Sequence, residues 1–379
     1  MPKHLLFVDH AQALGGAERS LLDLLVALNR DRWHPYLACP PGVLAKEATS
    51  LGLCVHPISL PRLRRSPLAL SNLVQGARKI VKLARVLNIS LLYANTVRGA
   101  FYTALAAAMN KCPFIWHMRD FWLSETKPGF GLGDALGKRI LCSMAAQVVA
   151  NSHATSAHLP SSSKVTVIHN GIDPTRYPPC QGRLSFRHEY HIPGNVPVVG
   201  MVARMRPWKG HKRFLQAMAQ VSINYPQAYF LIVGGALFHP EDSYPDTLKQ
   251  LAWELGLGDR VIFTGHLDDV RPALCAMDVF VHPGDPEPFG LVILEAMASA
   301  LPVVGFNHGA LSEIILSRET GILVTPGDVA GLAGAVECLL ADEKIRSNYG
   351  QNGRQRLETH FHIRNMVAKI EMVLNELTP

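Results

Sequence analysis

Two α/β domains facing a central cleft are predicted here, each a parallel sheet wound on both faces by helices. Three observations carry the prediction. The chain has 379 residues, beyond the size at which one hydrophobic core keeps growing. Its apolar pattern switches repeatedly between short strand-length runs and stretches of helical period, the signature of βαβ units. That rhythm plays through once, breaks, and starts again.

Taken in order, HLLFV (4–8) reads as the opening strand, followed by a Gly15-Gly16 loop and a helix over Ala17–Leu28. Further strands are read at Pro35–Cys39, Cys54–Ile58, Ser90–Ala94, Phe114–His117, Gln147–Ala150 and Lys164–Ile168. Pro67–Leu87 reads as a helix with Leu70, Leu73, Val74, Ala77, Val81 and Ala84 on one stripe. Residues 174–196 are rich in proline and polar side chains and read as a linker. The second series opens at VPVVGMVAR (196–204) and continues with Tyr229–Val233, Val261–Thr264, Val279–His282 and Pro302–Phe306. The tail, about Asp342–Leu377, reads as helical. The expected organisation is therefore a Rossmann-like domain over 1–173, a linker over 174–196, a second Rossmann-like domain over 197–360, and a helix over 361–379 packing back on the first domain.

Composition narrows the function classes. Apolar residues make up 48% and charged residues 18%, which excludes disordered, collagen-like and coiled-coil chains. Seven cysteines (Cys39, Cys54, Cys112, Cys142, Cys180, Cys275, Cys338) include no Cys-x-x-Cys pair, so neither a zinc site nor a disulfide framework is expected. The opening apolar run is too short for a signal peptide and no 18-residue apolar stretch occurs. A cytoplasmic protein is expected.

The net charge of +7 hides an asymmetry. Residues 1–196 hold 22 Lys+Arg against 10 Asp+Glu, and residues 197–379 hold 15 against 20. No acid lies between Glu47 and Asp120, a stretch that carries Arg62, Arg64, Arg65, Arg78, Lys79, Lys82, Arg85, Arg98, Lys111 and Arg119. Such a half should meet an anionic partner: nucleic acid, acidic lipid or a phosphorylated substrate. No helix-turn-helix, zinc or RNA-binding signature accompanies the charge, and the cations are not interleaved with aromatics, so nucleic acid is disfavoured. A basic, amphipathic surface over Arg62, Arg64, Arg65, Arg78, Lys79, Lys82 and Arg85 suits an anionic membrane face, or a solvated helix over a buried stripe.

Ligands of open α/β sheets bind beyond the carboxyl ends of the strands. In the second half the first such end delivers Arg204 and a loop containing Lys209, two cations able to converge on a diphosphate, or to sit in an ordinary solvated loop. The next ends deliver Gly234-Gly235 and Thr264-Gly265-His266, where a backbone can approach a flat ligand such as a nucleobase. The strongest passage is HPGDPEPFGLVILEAMASALPVV (282–304). Glu287 sits in a proline-marked loop, and Phe289-Gly290 opens a helix read to about Ala300, whose N-terminus suits a phosphate. Leu291–Leu301 is apolar except for Glu295 and Ser299, so the helix should be buried and Glu295 must be paired, with a ribose diol or with a neighbouring Lys or Arg.

Glu287 and Glu295, spaced as E-PFGLVIL-E, match the Glu-x7-Glu signature, and the chain resembles the large retaining glycosyltransferases called family 4. The resemblance covers nearly the full length: Gly15-Gly16-Ala17-Glu18, then Asn170-Gly171-Ile172-Asp173, then Arg204 with Lys209 occur in the family's order. It implies a GT-B fold, a nucleotide-diphosphate sugar donor (a UDP- or GDP-sugar) held mainly by the C-terminal domain, and hexosyl transfer with retention to a saccharide or lipid-linked acceptor in cell-surface glycan synthesis. By the same resemblance Arg204 and Lys209 neutralise the departing diphosphate, Glu287 holds sugar hydroxyls and Glu295 the ribose. Backbone N–H groups around Phe289-Gly290-Leu291 orient sugar and phosphates, Gly15-Gly16 lets the N-terminal loop approach the diphosphate, and Gly265-His266 borders the donor. His117 matches a family histidine near donor and acceptor, or is a structural strand-end histidine. No Asp-x-Asp metal motif occurs, so no metal and no cofactor is expected, the two cations standing in for a divalent ion. Where the family often has a serine this chain has Gly284 and Asp285, and where it often has Gly-Gly this chain has Gly309-Ala310. A same-fold nucleotide-sugar epimerase and an inactive sugar-nucleotide binder are the alternatives. A nicotinamide dehydrogenase is disfavoured, because His10–Gly16 lacks Gly-x-Gly-x-x-Gly spacing.

Overall fold

The computed structural model describes residues 2–63, 67–122, 131–177, 182–235 and 243–378. It divides into two compact units, Met1–Gly171 with Ile363–Pro379, and Ile172–His362.

In the first unit, strands β1 (Lys3–Val8), β2 (Trp33–Cys39), β3 (Cys54–Pro57), β4 (Leu91–Ala94), β5 (Phe114–Met118), β6 (Gln147–Ala150) and β7 (Val165–Val167) form one sheet. Its order is β3-β2-β1-β4-β5-β6-β7, parallel throughout. Every residue of β4 and β5 is buried, which is why these strands read as continuous apolar runs rather than alternations. One core joins the sheet to the helices Pro67–Val86 and Val97–Asn110. These helices meet at Gly76, where a Cβ would run into the Tyr102 ring. Ile80 joins the buried stripe of the first helix, whereas Leu70, read as part of that stripe, is 69% exposed.

The opposite core lies under the helices Gly16–Ala27 and Ile363–Leu377. The latter buries Ile363, Met366, Val367, Ile370, Val373 and Leu374, a stripe of helical spacing. The helical tail read from sequence is thus two helices, Glu343–His360 and Ile363–Leu377, which belong to different units.

The second unit carries β8 (Val198–Val202), β9 (Tyr229–Val233), β10 (Val261–Gly265), β11 (Val279–His282), β12 (Val303–Phe306) and β13 (Gly321–Val324) in the order β10-β9-β8-β11-β12-β13, again parallel. Strand β13 was not read from the sequence. It is four residues long, and tertiary pairing defines it: Gly321 lies so close to the Val303 carbonyl that a Cβ would collide.

The segment 174–196 corrects the linker reading, since its described residues belong to the second unit. The helix Arg183–Glu189 buries Phe186 and Arg187. Arg187 donates to the carbonyls of Ala276, Gly194 and Val196 and pairs with Asp278 at 3.0 Å. Nη1 thus satisfies two carbonyls of a proline-marked segment that composition alone marks as a spacer, while Nε and Nη2 fasten it to Ala276 and Asp278. Likewise the helix after Gly290 spans Leu291–Ala298 rather than reaching Ala300, which has left-handed φ of 56°.

Strand order reverses beside β1 and β4 in one unit and beside β8 and β11 in the other, and these switch points open the crevices where ligands bind in such sheets. In the first unit the carboxyl ends there carry a buried polar chain. Asp9 accepts from the Ala11 N–H (2.8 Å) and the Asn95 amide (2.7 Å), and Asn95 accepts from Arg119 Nε (2.7 Å). Arg119 Nη1 reaches Ser20 (2.9 Å) and Asn170 (2.7 Å). Above it, Glu18 accepts from the Gly15 N–H at 2.8 Å and so closes the glycine loop onto the helix it opens.

Burial pushes the Glu18 carboxyl up to about 7, and the Asp9 charge adds to the rise. A folded-state pKa above the unfolded one contributes stability that is complete below the unfolded value of 4.5 and is lost as pH rises through about 7. Glu18→Gln keeps a carbonyl for Gly15 and removes the titration. Denaturant unfolding of both proteins across pH 4 to 8 should show the wild type losing stability relative to the variant, by on the order of 3 kcal/mol at most. Parallel curves would refute the assignment.

Candidate active site

The switch point of the second sheet gathers the sequence-predicted residues. Strand β8 ends before Arg204, which is exposed. Its loop is held by backbone approach: a Cβ at Gly234, φ 132°, would collide with the Ala203 carbonyl, and Met205 N–H bonds the Gly235 carbonyl at 3.1 Å. The short turn Pro207–Lys209 follows, closed by Gly210 at φ 80°. A Cβ at Gly210 would strike the Pro283 carbonyl in the loop after β11, and Asp285 N–H donates to the Trp208 carbonyl at 2.7 Å. Glycine is required here because the backbones of two loops touch.

This interlocking delivers the central pair. Lys209 Nζ lies 2.6 Å from Glu287 Oε2, and His282 Nε2, at the end of β11, lies 3.7 Å from the same oxygen. Burial pushes the Glu287 carboxyl up, but the Lys209 ammonium and then His282 outweigh it and hold the group well below the usual carboxylate range. Glu287 is an acceptor-only carboxylate at any physiological pH. Gly309 closes the other side, where a Cβ would lie 2.7 Å from Glu287 N. The chain's Gly309-Ala310 thus keeps glycine where the backbone approach demands it.

Phe289 is a buried anchor, its ring 6.2 Å from that of Phe361. Gly290 caps the helix Leu291–Ala298 in the left-handed region at φ 87°. The leading N–H groups of that helix have no intrahelical partners by construction. Within it Glu295 is 9% exposed and accepts from the Tyr177 hydroxyl at 3.1 Å. One partner of Glu295 is thus a phenol, and it comes from the segment read as linker. Gly265 ends β10 at φ 70° with open space where a Cβ would stand, and His266 is exposed beside it, 3.5 Å from Asp268.

In the first unit Gly15 caps its helix and Gly16 is exposed. His117, in β5, is fully buried with Nδ1 2.6 Å from the Tyr93 hydroxyl. Burial first and Arg119 second lower its pKa well below the ordinary value, so the ring is neutral. Arg62, Arg78, Lys79, Lys82 and Arg85 are exposed, the last four on the helix Pro67–Val86, while Arg64 and Arg65 lie outside the described residues.

Sequence reasoning missed His282, Tyr177 and Arg213. His282 carried a faint signal, ending a strand beside the switch point. Tyr177 carried none, because 118 positions separate it from Glu295.

Comparison with known proteins follows the same division. The description Glycosyltransferase Family 4 matches residues 14–176, and Glycosyl transferases group 1 matches residues 183–356. The lipopolysaccharide core biosynthesis mannosyltransferase LpsB of Rhizobium meliloti (strain 1021) is 31% identical over 232 residues, 61% of this chain and 65% of that protein. The mannosyltransferase LpcC of Rhizobium leguminosarum bv. viciae is 30% identical over 56% of this chain and 60% of that one. The chain therefore spans about three fifths of the length of these curated relatives. Anabaena HepE, solved in complex with UDP-glucose, superposes with a TM-score of 0.85 at 27% identity over 98% of this chain and 99% of that chain. Among the described residues no helix is long and apolar enough to cross a membrane. With two successive family matches, two parallel α/β units and this likeness in fold, the chain belongs to the family-4 glycosyltransferases of GT-B fold.

Proposed function

We propose that the chain moves a hexosyl unit from a UDP- or GDP-sugar to a saccharide or lipid-linked acceptor in surface-glycan synthesis, with retention of configuration and without a metal. The observation that carries the reading is the Lys209–Glu287 pair at the second sheet's switch point, with Glu295 on the helix that follows. The relatives' roles in lipopolysaccharide core synthesis and the UDP-glucose bound by HepE support the substrate class.

In the proposed reaction the bond between the anomeric carbon and the phosphate oxygen breaks, and an acceptor hydroxyl bonds to the same face. Its proton passes to the leaving phosphate, which departs as the nucleoside diphosphate. Arg204, Lys209 and the N–H groups opening Leu291–Ala298 oppose the charge that builds on that phosphate. Glu287, ionised, accepts from sugar hydroxyls, and Glu295 from the ribose. Two carboxylates engaged this way are not a glycosidase pair.

A calorimetric panel of UDP, GDP, ADP and TDP with their sugar conjugates, run in EDTA, should select one nucleotide. Glu295→Ala should then weaken that nucleotide by ~1.5–3 kcal/mol through loss of a charged acceptor; unchanged affinity would remove Glu295 from the ribose. Lys209→Ala should cost more in turnover than in donor affinity, because its charge matters most as the diphosphate leaves, and equal losses would make it a ground-state binder. Donor consumed without acceptor and released as an epimerised sugar would make the protein an epimerase. Binding with no consumption at all would make it an inactive binder.

The basic surface is proposed to rest on anionic lipid. Supporting this, the helix Pro67–Val86 exposes Arg78, Lys79, Lys82 and Arg85 behind Leu68 and Leu70, each leucine 69% exposed. Flotation with phosphatidylglycerol vesicles should carry the protein upward at low salt and fail with phosphatidylcholine. Equal behaviour with both lipids would end the membrane reading.

A further inference from the structure

Arg213 stands in the first turn of the helix His211–Asn224, four residues after Lys209. Its Nη1 donates to the Pro283 carbonyl at 3.2 Å, and its Nη2 pairs with Asp285 Oδ1 at 2.9 Å. The guanidinium also lies over the Phe306 ring, 6.0 Å from its centroid, which fixes it against the end of β12. One turn-and-helix unit therefore grips the loop after β11 at alternate positions: Arg213 at 283 and 285, Lys209 at 287.

The charges match the grip. Asp285 and Glu287 are carboxylates two residues apart, Asp285 paired with Arg213 and Glu287 with Lys209. Without Arg213 the loop would lose the ion pair and the carbonyl bond that anchor it on the helix. His282, 3.7 Å from Glu287 Oε2, and His308, whose pKa burial lowers first of all, also face this cluster.

We propose that Arg213 is a positioning residue, holding the loop 283–287 through Asp285 so that the Glu287 carboxylate stays seated on Lys209. The consequence for the site rests on the donor-binding reading of Lys209 and Glu287.

Glu287 itself reports on the clamp. Carboxyl ¹³C titration of the intact chain, with the Glu287 signal assigned by its loss in Glu287→Gln, should show Glu287 ionised through the whole ordinary carboxylate range. In Arg213→Ala its midpoint should rise by about one pH unit or more toward 4.5. Arg213→Lys, which keeps the charge, should restore most of the wild-type titration. If Arg213→Ala fails to fold, Arg213→Gln, which keeps a side chain of similar length and removes the charge, carries the same comparison. A Glu287 midpoint unmoved in the folded uncharged variant would overturn the proposal, as would a rise in Arg213→Lys equal to it.

Transfer kinetics with UDP-glucose and GDP-mannose separate this proposal from the reading beneath it. A shifted titration in a protein that never consumes either sugar nucleotide would leave the clamp standing and count against transfer. Consumption that requires Glu287, with an unshifted titration in Arg213→Ala, would leave transfer standing and remove the clamp. Where both hold, the donor KM of Arg213→Ala should rise roughly tenfold, with kcat falling less.

Discussion

The pair between Lys209 and Glu287, 2.6 Å apart and largely withdrawn from water, is the interaction around which the second unit is arranged. A half-buried ion pair contributes little net stability, because desolvation offsets attraction. Its presence makes sense as geometry: it fixes an ionised carboxylate and a cation side by side at the sheet's switch point. The surrounding backbone is spent on that arrangement. Gly210, Gly234 and Gly309 are each placed where a side chain would strike a neighbouring loop, so three connections after three different strands close to contact distance.

The two units use the same switch point differently. In the second, charges stand near the surface of the crevice, ready for a ligand. In the first, the buried Asp9 and the half-buried Arg119 are joined through Asn95, Arg119 reaches Ser20 and Asn170, and Glu18 is buried on the helix Gly16–Ala27 itself. A buried network of this kind holds parts in register. It ties the ends of β1, β4 and β5 to the glycine loop, whose first N–H is capped by Glu18. The rigid backing of Gly15-Gly16 is thus built from polar chemistry, and that chemistry leaves the loop itself bare.

Most of the architecture was legible because parallel strands buried on both faces appear as uninterrupted apolar runs. All seven strands of the first sheet and five of the six in the second were read this way. Strand β13 escaped because GILV gains strand geometry only by pairing with β12. The linker reading failed for a related reason. Prolines and polar residues over 174–196 describe a chain with little intrinsic order, yet the Arg187 side chain supplies order by binding the nearby Gly194 and Val196 carbonyls together with the Ala276 carbonyl 89 positions away. Among the candidate site residues, Glu287, Glu295, Arg204 and Lys209 were singled out by spacing together with the family resemblance, whereas Tyr177, His282 and Arg213 make contacts that no spacing encodes.

By itself the sequence determined the two-sheet fold, the order of its elements, and the glutamate and cation positions, because periodicity and short-range spacing are local properties of a chain. Tertiary structure alone decided which group answers each charge. Lys209 meets Glu287 across 78 positions, Tyr177 meets Glu295 across 118, and Arg213 takes Asp285 across 72. The Lys209 and Arg213 pairings arise where the loops after β8 and β11 come together, and no local pattern along the chain records which side chains will be neighbours there.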